Sequence, residues 1–193
     1  HLPMHVTARL AAGLTLAAAA LSALCADTPL AAVSEAIRNA DKRHPLLFAD
    51  AQGFAALREQ STATELGRLA RGRLLADADQ MLSFPPCARE LEGRRLLGIS
   101  RRVLHRVSTL AMAYRLNGNP AHLERCAAEM RAVAAFEDWN PKHFLDVAEM
   151  TLALAVGYDW LYHDLDDATR KTVADALLEK GLRTSLKHTG WVK

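Results

Sequence analysis

The sequence is poor in several features that would have identified a function directly. It has three cysteines among 193 residues, aromatic residues make up 6% of it, and its net charge is only +2. Nucleic-acid binding is not indicated, because no block of like charge supplies a concentrated basic face. A phosphate-binding glycine loop, a nucleophile elbow and a zinc-type pair of histidines are all missing from the sequence. We therefore expect no nucleic-acid partner, no metal site and no cofactor.

The few cysteines leave two interpretations open. Cys25 lies at the edge of the N-terminal apolar stretch, so Cys87 and Cys126 are the ones expected in the folded part. They either pair in an oxidising compartment or lie apart as small buried side chains. The second interpretation is favoured, because Cys126 falls on the apolar side of a predicted helix.

The longest apolar stretch lies at the N-terminus. Arg9 precedes the alanine- and leucine-rich run Leu10–Leu21, and small residues follow as far as Ala26. This order is typical of a secretory signal peptide, and the run is too short and too rich in alanine for a membrane helix. We assign residues 1–26 to a signal peptide and expect a periplasmic or secreted protein with no membrane attachment after cleavage. A buried alanine-rich helix is the alternative.

Apolar residues recur at steps of three and four through the rest of the chain, which predicts helices. One helix is expected to begin near Gly53 and another to have Ser100 as its N-cap and to end at Leu116. The other predicted helices are Thr64–Met81, Ala121–Phe136, Phe144–Tyr162 and Ala168–Ser185. His44–Phe48 contains Pro45 and is expected to be an extended strip that is held against the core. No strand-like alternation of useful length is present.

These helices are expected to form antiparallel hairpins. Asn117–Pro120 makes a short turn between two of them, and Phe144–Tyr162 is apolar on most faces, as in a helix buried between two layers. A closed α/α toroid and an open helical-repeat solenoid both fit this pattern. Because no repeat signature recurs, we predict an all-α fold of consecutive antiparallel helical hairpins that form part of an (α/α) toroid, spanning residues 27–193.

The segment that joins two of these helices carries the candidate site. Asn140 and His143 lie where the apolar helix begins, and Glu149 follows within two turns, near the face that His143 and Asp146 share. Trp139 could offer its ring as a platform for an apolar sugar face. Capping of loops, pairing with buried arginines and burial in the core are the structural alternatives for the same side chains.

Three segments resemble the heparinase II/III-type polysaccharide lyases. His44–Phe48 resembles the opening of the mature lyases, and Arg102–Gly118 resembles their helix that ends in AYRLTG. Trp139–Tyr162, reading WNPKHFLDVAEMTLALAVGYDWLY, is the most specific match. Together these segments are spread over most of the chain after the leader.

This resemblance implies an exported enzyme that cleaves a uronate-containing polysaccharide, such as heparin, heparan sulfate or alginate, by β-elimination. The family has an N-terminal toroid followed by a β-sandwich region, and its catalytic residues lie downstream of the matched segments. We therefore expect no catalytic residue in this chain and no lyase activity from it alone. Trp139, Asn140, His143 and Glu149 are the residues expected to line or support a cleft for the anionic polysaccharide or oligosaccharide.

Two other functions fit the predicted fold. A helical-toroid glycoside hydrolase would need paired carboxylates across a cleft, and Asp146 with Glu149, one turn apart on a single helix, fits that poorly. A non-catalytic helical module that binds carbohydrate is the third possibility, and clear repeat periodicity would have favoured it.

Overall fold

The structure, a computed structural model, describes residues 44–187, and all its regular elements are helices, so the prediction of an all-α fold is confirmed. These residues lie within one compact unit, Arg43–Lys193. The predicted signal peptide, residues 1–26, lies outside the described residues. The only β-type pairing within 44–187 is an isolated bridge between Glu92 and Arg95. The elements are α1 (Ala51–Ala63), α2 (Glu65–Met81), α3 (Leu97–Asn117), α4 (Pro120–Ala134), α5 (Phe144–Trp160), α6 (Asp167–Ala176), a π-helical segment (Leu177–Leu182) and α7 (Arg183–Lys187).

Local capping explains where several of these helices begin. A side-chain oxygen just before the first turn accepts a backbone N–H that would otherwise lack a partner. The capping residues are Asp50 for α1, Thr64 for α2, Asn119 for α4 and Asp166 for α6. At the end of α3, Gly118 adopts φ 69°, a left-handed conformation that suits glycine and turns the chain towards α4.

The predicted start of α3 was wrong. The helix begins at Leu97, and Ser100 is buried inside its first turn instead of capping it. Leu96 precedes the helix without a side-chain cap, and its N–H donates to the carboxylate of Asp146 at 2.6 Å. A residue fifty positions away therefore replaces the local cap, which no rule based on neighbouring residues would find.

The helix α3 occupies the centre of the core. It packs most extensively against α5 and also contacts α1, α2 and α4. Most sides of α5 are buried, as predicted, although Leu145 and Leu152 remain 46% and 43% exposed. α5 and α4 approach each other closely at Gly157, where an added Cβ would lie 2.4 Å from the Met130 sulfur.

The predicted strip is held against the helices by its backbone and by its first two side chains. The Asp159 carboxylate accepts the N–H groups of Leu46 and Leu47 at 2.8 and 2.7 Å. Trp160 Nε1 donates to the Leu47 carbonyl at 2.8 Å. The side chain of Phe48 is 81% exposed, whereas Pro45 is buried and His44 Nδ1 lies 2.7 Å from Asp159 Oδ1.

Two further expectations about side chains were tested. Cys87 and Cys126 are both buried and unpaired, which confirms the second interpretation of the cysteines. Burial raises the pKa of each thiol to about 12, so both are protonated at neutral pH. Leu66 and Leu69, whose spacing contributed to the prediction of α2, are instead 78% and 66% exposed.

Among residues 44–187, no helix has the length and apolar character that crossing a membrane requires.

Candidate functional site

The loop between α4 and α5 is shaped by a turn at Asn140. This residue has φ 57°, and asparagine tolerates the left-handed region better than most residues do. Its N–H donates to Asp138 Oδ1 at 2.9 Å, which stabilises the turn locally. The Asn140 side chain is consequently directed inward and is almost completely buried.

A buried carboxylate in the first turn of α5 organises this loop. Asp146 is fully buried and accepts hydrogen bonds from Leu96 N at 2.6 Å and Asn140 Nδ2 at 2.7 Å. His143 Nδ1 lies 2.7 Å from its other oxygen. Because a carboxylate only accepts, this contact assigns the proton to Nδ1 and leaves His143 Nε2 available to another partner.

His143 borders a cleft of about 690 Å³ between this loop and the arginine-rich loop before α3. Asn140 Nδ2 ties the two loops together, because it also donates to the Arg94 carbonyl at 3.0 Å. The cleft is lined by charged, polar and small residues: Arg89, Leu91, Gly93, Arg94, Arg95, Glu137, Asp138, Asn140, Pro141, Lys142 and His143.

Three charged side chains of the cleft are paired with one another. Arg89 pairs with Asp138 at 2.5 Å and with Glu137 at 3.1 Å, so these three side chains largely neutralise one another. Burial raises the pKa of the Asp138 carboxyl, but hydrogen bonds from Arg89 and the Asn140 N–H outweigh it and hold the pKa below its usual value.

Three cations of the cleft lack such partners. The side chains of Arg94, Arg95 and Lys142 form no ion pair or hydrogen bond with any residue in 44–187. All three are exposed. The cleft therefore presents cationic groups that can meet an anion, with one histidine beside them. Lys142 acts on Asp138 only through its charge.

The structure divides the four predicted site residues into two groups. Asn140 and His143 both line the cleft. Trp139 does not: it is 1% exposed, and its Nε1 donates to the Val133 carbonyl at 3.2 Å. Trp139 therefore supports the cleft from the core and has no free face for a sugar. Glu149 also lies outside the cleft, where its Oε1 pairs with Arg101 Nε at 3.2 Å.

Sequence reasoning missed the main cationic lining. The sequence places Arg89, Arg94 and Arg95 before α3, but their position opposite the α4–α5 loop depends on the tertiary fold. Asp146 had been noticed as a polar residue near His143, whereas its role as acceptor for two separate loops depends on contacts across fifty residues.

A second buried cluster has a structural role. Glu129 is fully buried and accepts from Arg125 Nη2 at 2.6 Å and from the Cys87 N–H at 3.0 Å. Burial raises the pKa of its carboxyl, but the hydrogen bonds from Cys87 and Arg125 outweigh this and lower the pKa overall. Arg125 also donates to the Phe84 carbonyl, so the cluster fixes the chain after α2.

The described side chains form no metal-binding group, and the comparisons with known proteins found no match. Within the described range, no group of three or more His, Cys, Asp and Glu side chains is placed to hold a metal ion. No protein-family model matches the chain, and no curated protein matches it either.

Proposed function

We propose that this chain belongs to an exported polysaccharide lyase, that its helices form part of an (α/α) toroid, and that its cleft binds a uronate-containing polysaccharide. The observation that carries the proposal is the set of unpaired cations, Arg94, Arg95 and Lys142, around one cleft. Arginine and lysine are the side chains that neutralise carboxylates, and arginine can do so through two parallel hydrogen bonds.

The cations suit the chemistry of β-elimination. In that reaction a base removes the proton at C5 of the uronate, a double bond forms between C4 and C5, and the oxygen on C4 leaves. Neutralising the adjacent carboxylate makes the C5 proton more acidic, so cations at the carboxylate lower the barrier. The resemblance of Trp139–Tyr162 to the heparinase II/III-type lyases points to the same reaction.

The decisive experiment follows the ultraviolet absorbance of the unsaturated product. The complete gene product is incubated with a panel of polysaccharides that contain uronic acids, including heparan sulfate and alginate, and with a neutral polysaccharide as a control. A rise in absorbance with at least one polyuronate and none with the neutral polymer is expected. Release of reducing ends without that absorbance would instead identify a hydrolase, and binding without either product would identify a binding module.

Binding by the chain itself tests the cleft separately. Arg94→Gln and Lys142→Gln should each weaken the affinity for a polyuronate about two- to fivefold, because one solvent-exposed ion pair contributes up to about 1 kcal/mol. Arg183→Gln is the matched control, since Arg183 is an exposed arginine paired with Glu179 and lies outside the cleft. Equal affinities for all three variants and the unchanged chain would remove the cleft from the proposal.

A further inference from the structure

The cationic surface continues beyond the cleft. Arg95 and Leu91 also line a neighbouring cavity of about 250 Å³, and Arg95 with Gly98 lines another of about 430 Å³. The first of these cavities shares Arg102 with a fourth, of about 370 Å³. Adjacent cavities share lining side chains, and we call the surface that the four cavities make up together the arginine groove.

The arginine groove carries more cations than the cleft alone. Arg101 and Arg102 lie in the second turn of α3, and both are exposed. Arg102 makes no ion pair with another described residue, so its charge is available. Arg101 pairs with Glu149 through Nε, and its side chain remains 62% exposed.

Two other arginines, which line the fourth cavity, already have partners. Arg73 is bound by Asp77 at 3.1 Å, and Arg106 donates to the Pro85 carbonyl and to Glu129. The free cations are therefore those of the cleft and Arg102, and Arg95 lines a cavity with each of them.

Acidic side chains interrupt the cations. Glu90 and Glu92 line the cavity that joins Arg95 to Arg102, and neither forms a side-chain ion pair with another described residue. A polymer with closely spaced phosphates would be repelled there. Sugar hydroxyls, in contrast, can donate hydrogen bonds to carboxylates between two charged positions.

The aromatic content of the arginine groove argues against single-stranded nucleic acid as its ligand. Of the side chains that line its four cavities, only Phe84 at the far end belongs to phenylalanine, tyrosine or tryptophan. Proteins that bind single-stranded nucleic acid use aromatic rings on which successive bases stack, and the cationic part of this groove has none.

We propose that the arginine groove binds an internal stretch of a linear polysaccharide whose charged sugars alternate with hydroxyl-rich positions. Arg94 and Lys142 meet one carboxylate, Glu90 and Glu92 accept sugar hydroxyls, and Arg102 meets a later carboxylate. This inference rests on the proposed function, because it assumes that the cleft binds a uronate. It extends that function by requiring an oligosaccharide of several units for full affinity.

Calorimetric titration with uronate oligosaccharides of increasing length tests the inference. The disaccharide, tetrasaccharide and hexasaccharide are compared on the unchanged chain, Arg102→Gln and Arg183→Gln, after circular dichroism has confirmed equal helix content. Affinity should rise about tenfold from disaccharide to hexasaccharide, since each exposed ion pair adds a factor of a few. Arg102→Gln should weaken hexasaccharide binding about fivefold more than disaccharide binding, and Arg183→Gln should follow the unchanged chain.

The possible results separate the two proposals. Equal affinity for all lengths would overturn the extended groove while leaving uronate binding in the cleft intact. An equal effect of Arg102→Gln and Arg183→Gln at every length would also overturn it. Absence of binding at any length would overturn both proposals. Tighter binding of single-stranded DNA than of the hexasaccharide, at equal salt, would overturn the assignment to polysaccharide.

Discussion

Replacing Asp146 with alanine should destabilise the protein strongly, although Asp146 contacts no solvent. The substitution removes the acceptor of Leu96 N and Asn140 Nδ2, both of which are buried. Leaving a buried donor unsatisfied costs about 1–3 kcal/mol each. His143 is 30% exposed and can turn to water, so it adds little. The expected loss in the free energy of unfolding is therefore about 2–6 kcal/mol, from the two buried donors.

Urea unfolding followed by circular dichroism measures this loss, and Asp146→Asn is the matched variant. Asparagine keeps the shape and one carbonyl oxygen, which can still accept from Leu96 N and Asn140, so it should lose only about 1–2 kcal/mol. Its amide would donate to His143, and the histidine proton should move from Nδ1 to Nε2, which nitrogen NMR detects. Losses below 1 kcal/mol for Asp146→Ala would refute the reasoning that the two buried donors depend on this carboxylate.

Two further predictions concern buried contacts away from the cleft. Glu129→Gln should cost about 3 kcal/mol in urea unfolding at neutral pH, because Arg125 would lose its buried partner. The fold lowers the pKa of Glu129, so the stabilisation that its carboxylate gives the folded state is complete above the unfolded pKa of about 4.3. It is lost as the pH falls through the folded pKa. A Glu129→Gln variant that loses as much stability below pH 4 as the unchanged chain would contradict this. Gly157→Ala should lower stability by about 1–3 kcal/mol through overpacking against Met130. Gly72→Ala, whose Cβ would meet nothing within 4 Å, should raise stability by up to about 1 kcal/mol, and equal effects of the two changes would exclude overpacking as the cause.

The sequence predicted helices well where the signals were local. α5 begins at Phe144 as expected, and α4 begins one residue earlier than predicted, where Asn119 caps it and Pro120 opens it. The predicted last helix, Ala168–Ser185, instead contains a π-helical segment, Leu177–Leu182. Periodicity assumes a uniform helix, so it gives no sign of such a change in hydrogen bonding.

The candidate site was predicted only in part, for a physical reason. Asn140 and His143 were found because turn and helix-start residues have local signatures. Whether Trp139 would line the cleft or support it could not be decided, because the left-handed turn at Asn140 follows it and periodicity assigns no faces in such a loop. Arg94 was missed because its place in the cleft depends on a hydrogen bond from Asn140, forty-six positions away.

The stability of the fold and the geometry of the cleft depend on the same carboxylate. Asp146 holds the N–H that precedes α3, orients His143, and fixes Asn140, which in turn holds the Arg94 carbonyl. Cations on two loops are therefore kept at a set separation before any ligand arrives. Binding then loses less conformational entropy than it would if the loops were free. Asp146→Ala should therefore weaken uronate binding more than Asp146→Asn, although both variants keep Arg94 and Lys142. A folded Asp146→Ala variant with unchanged affinity would show that the cations act without this preorganisation.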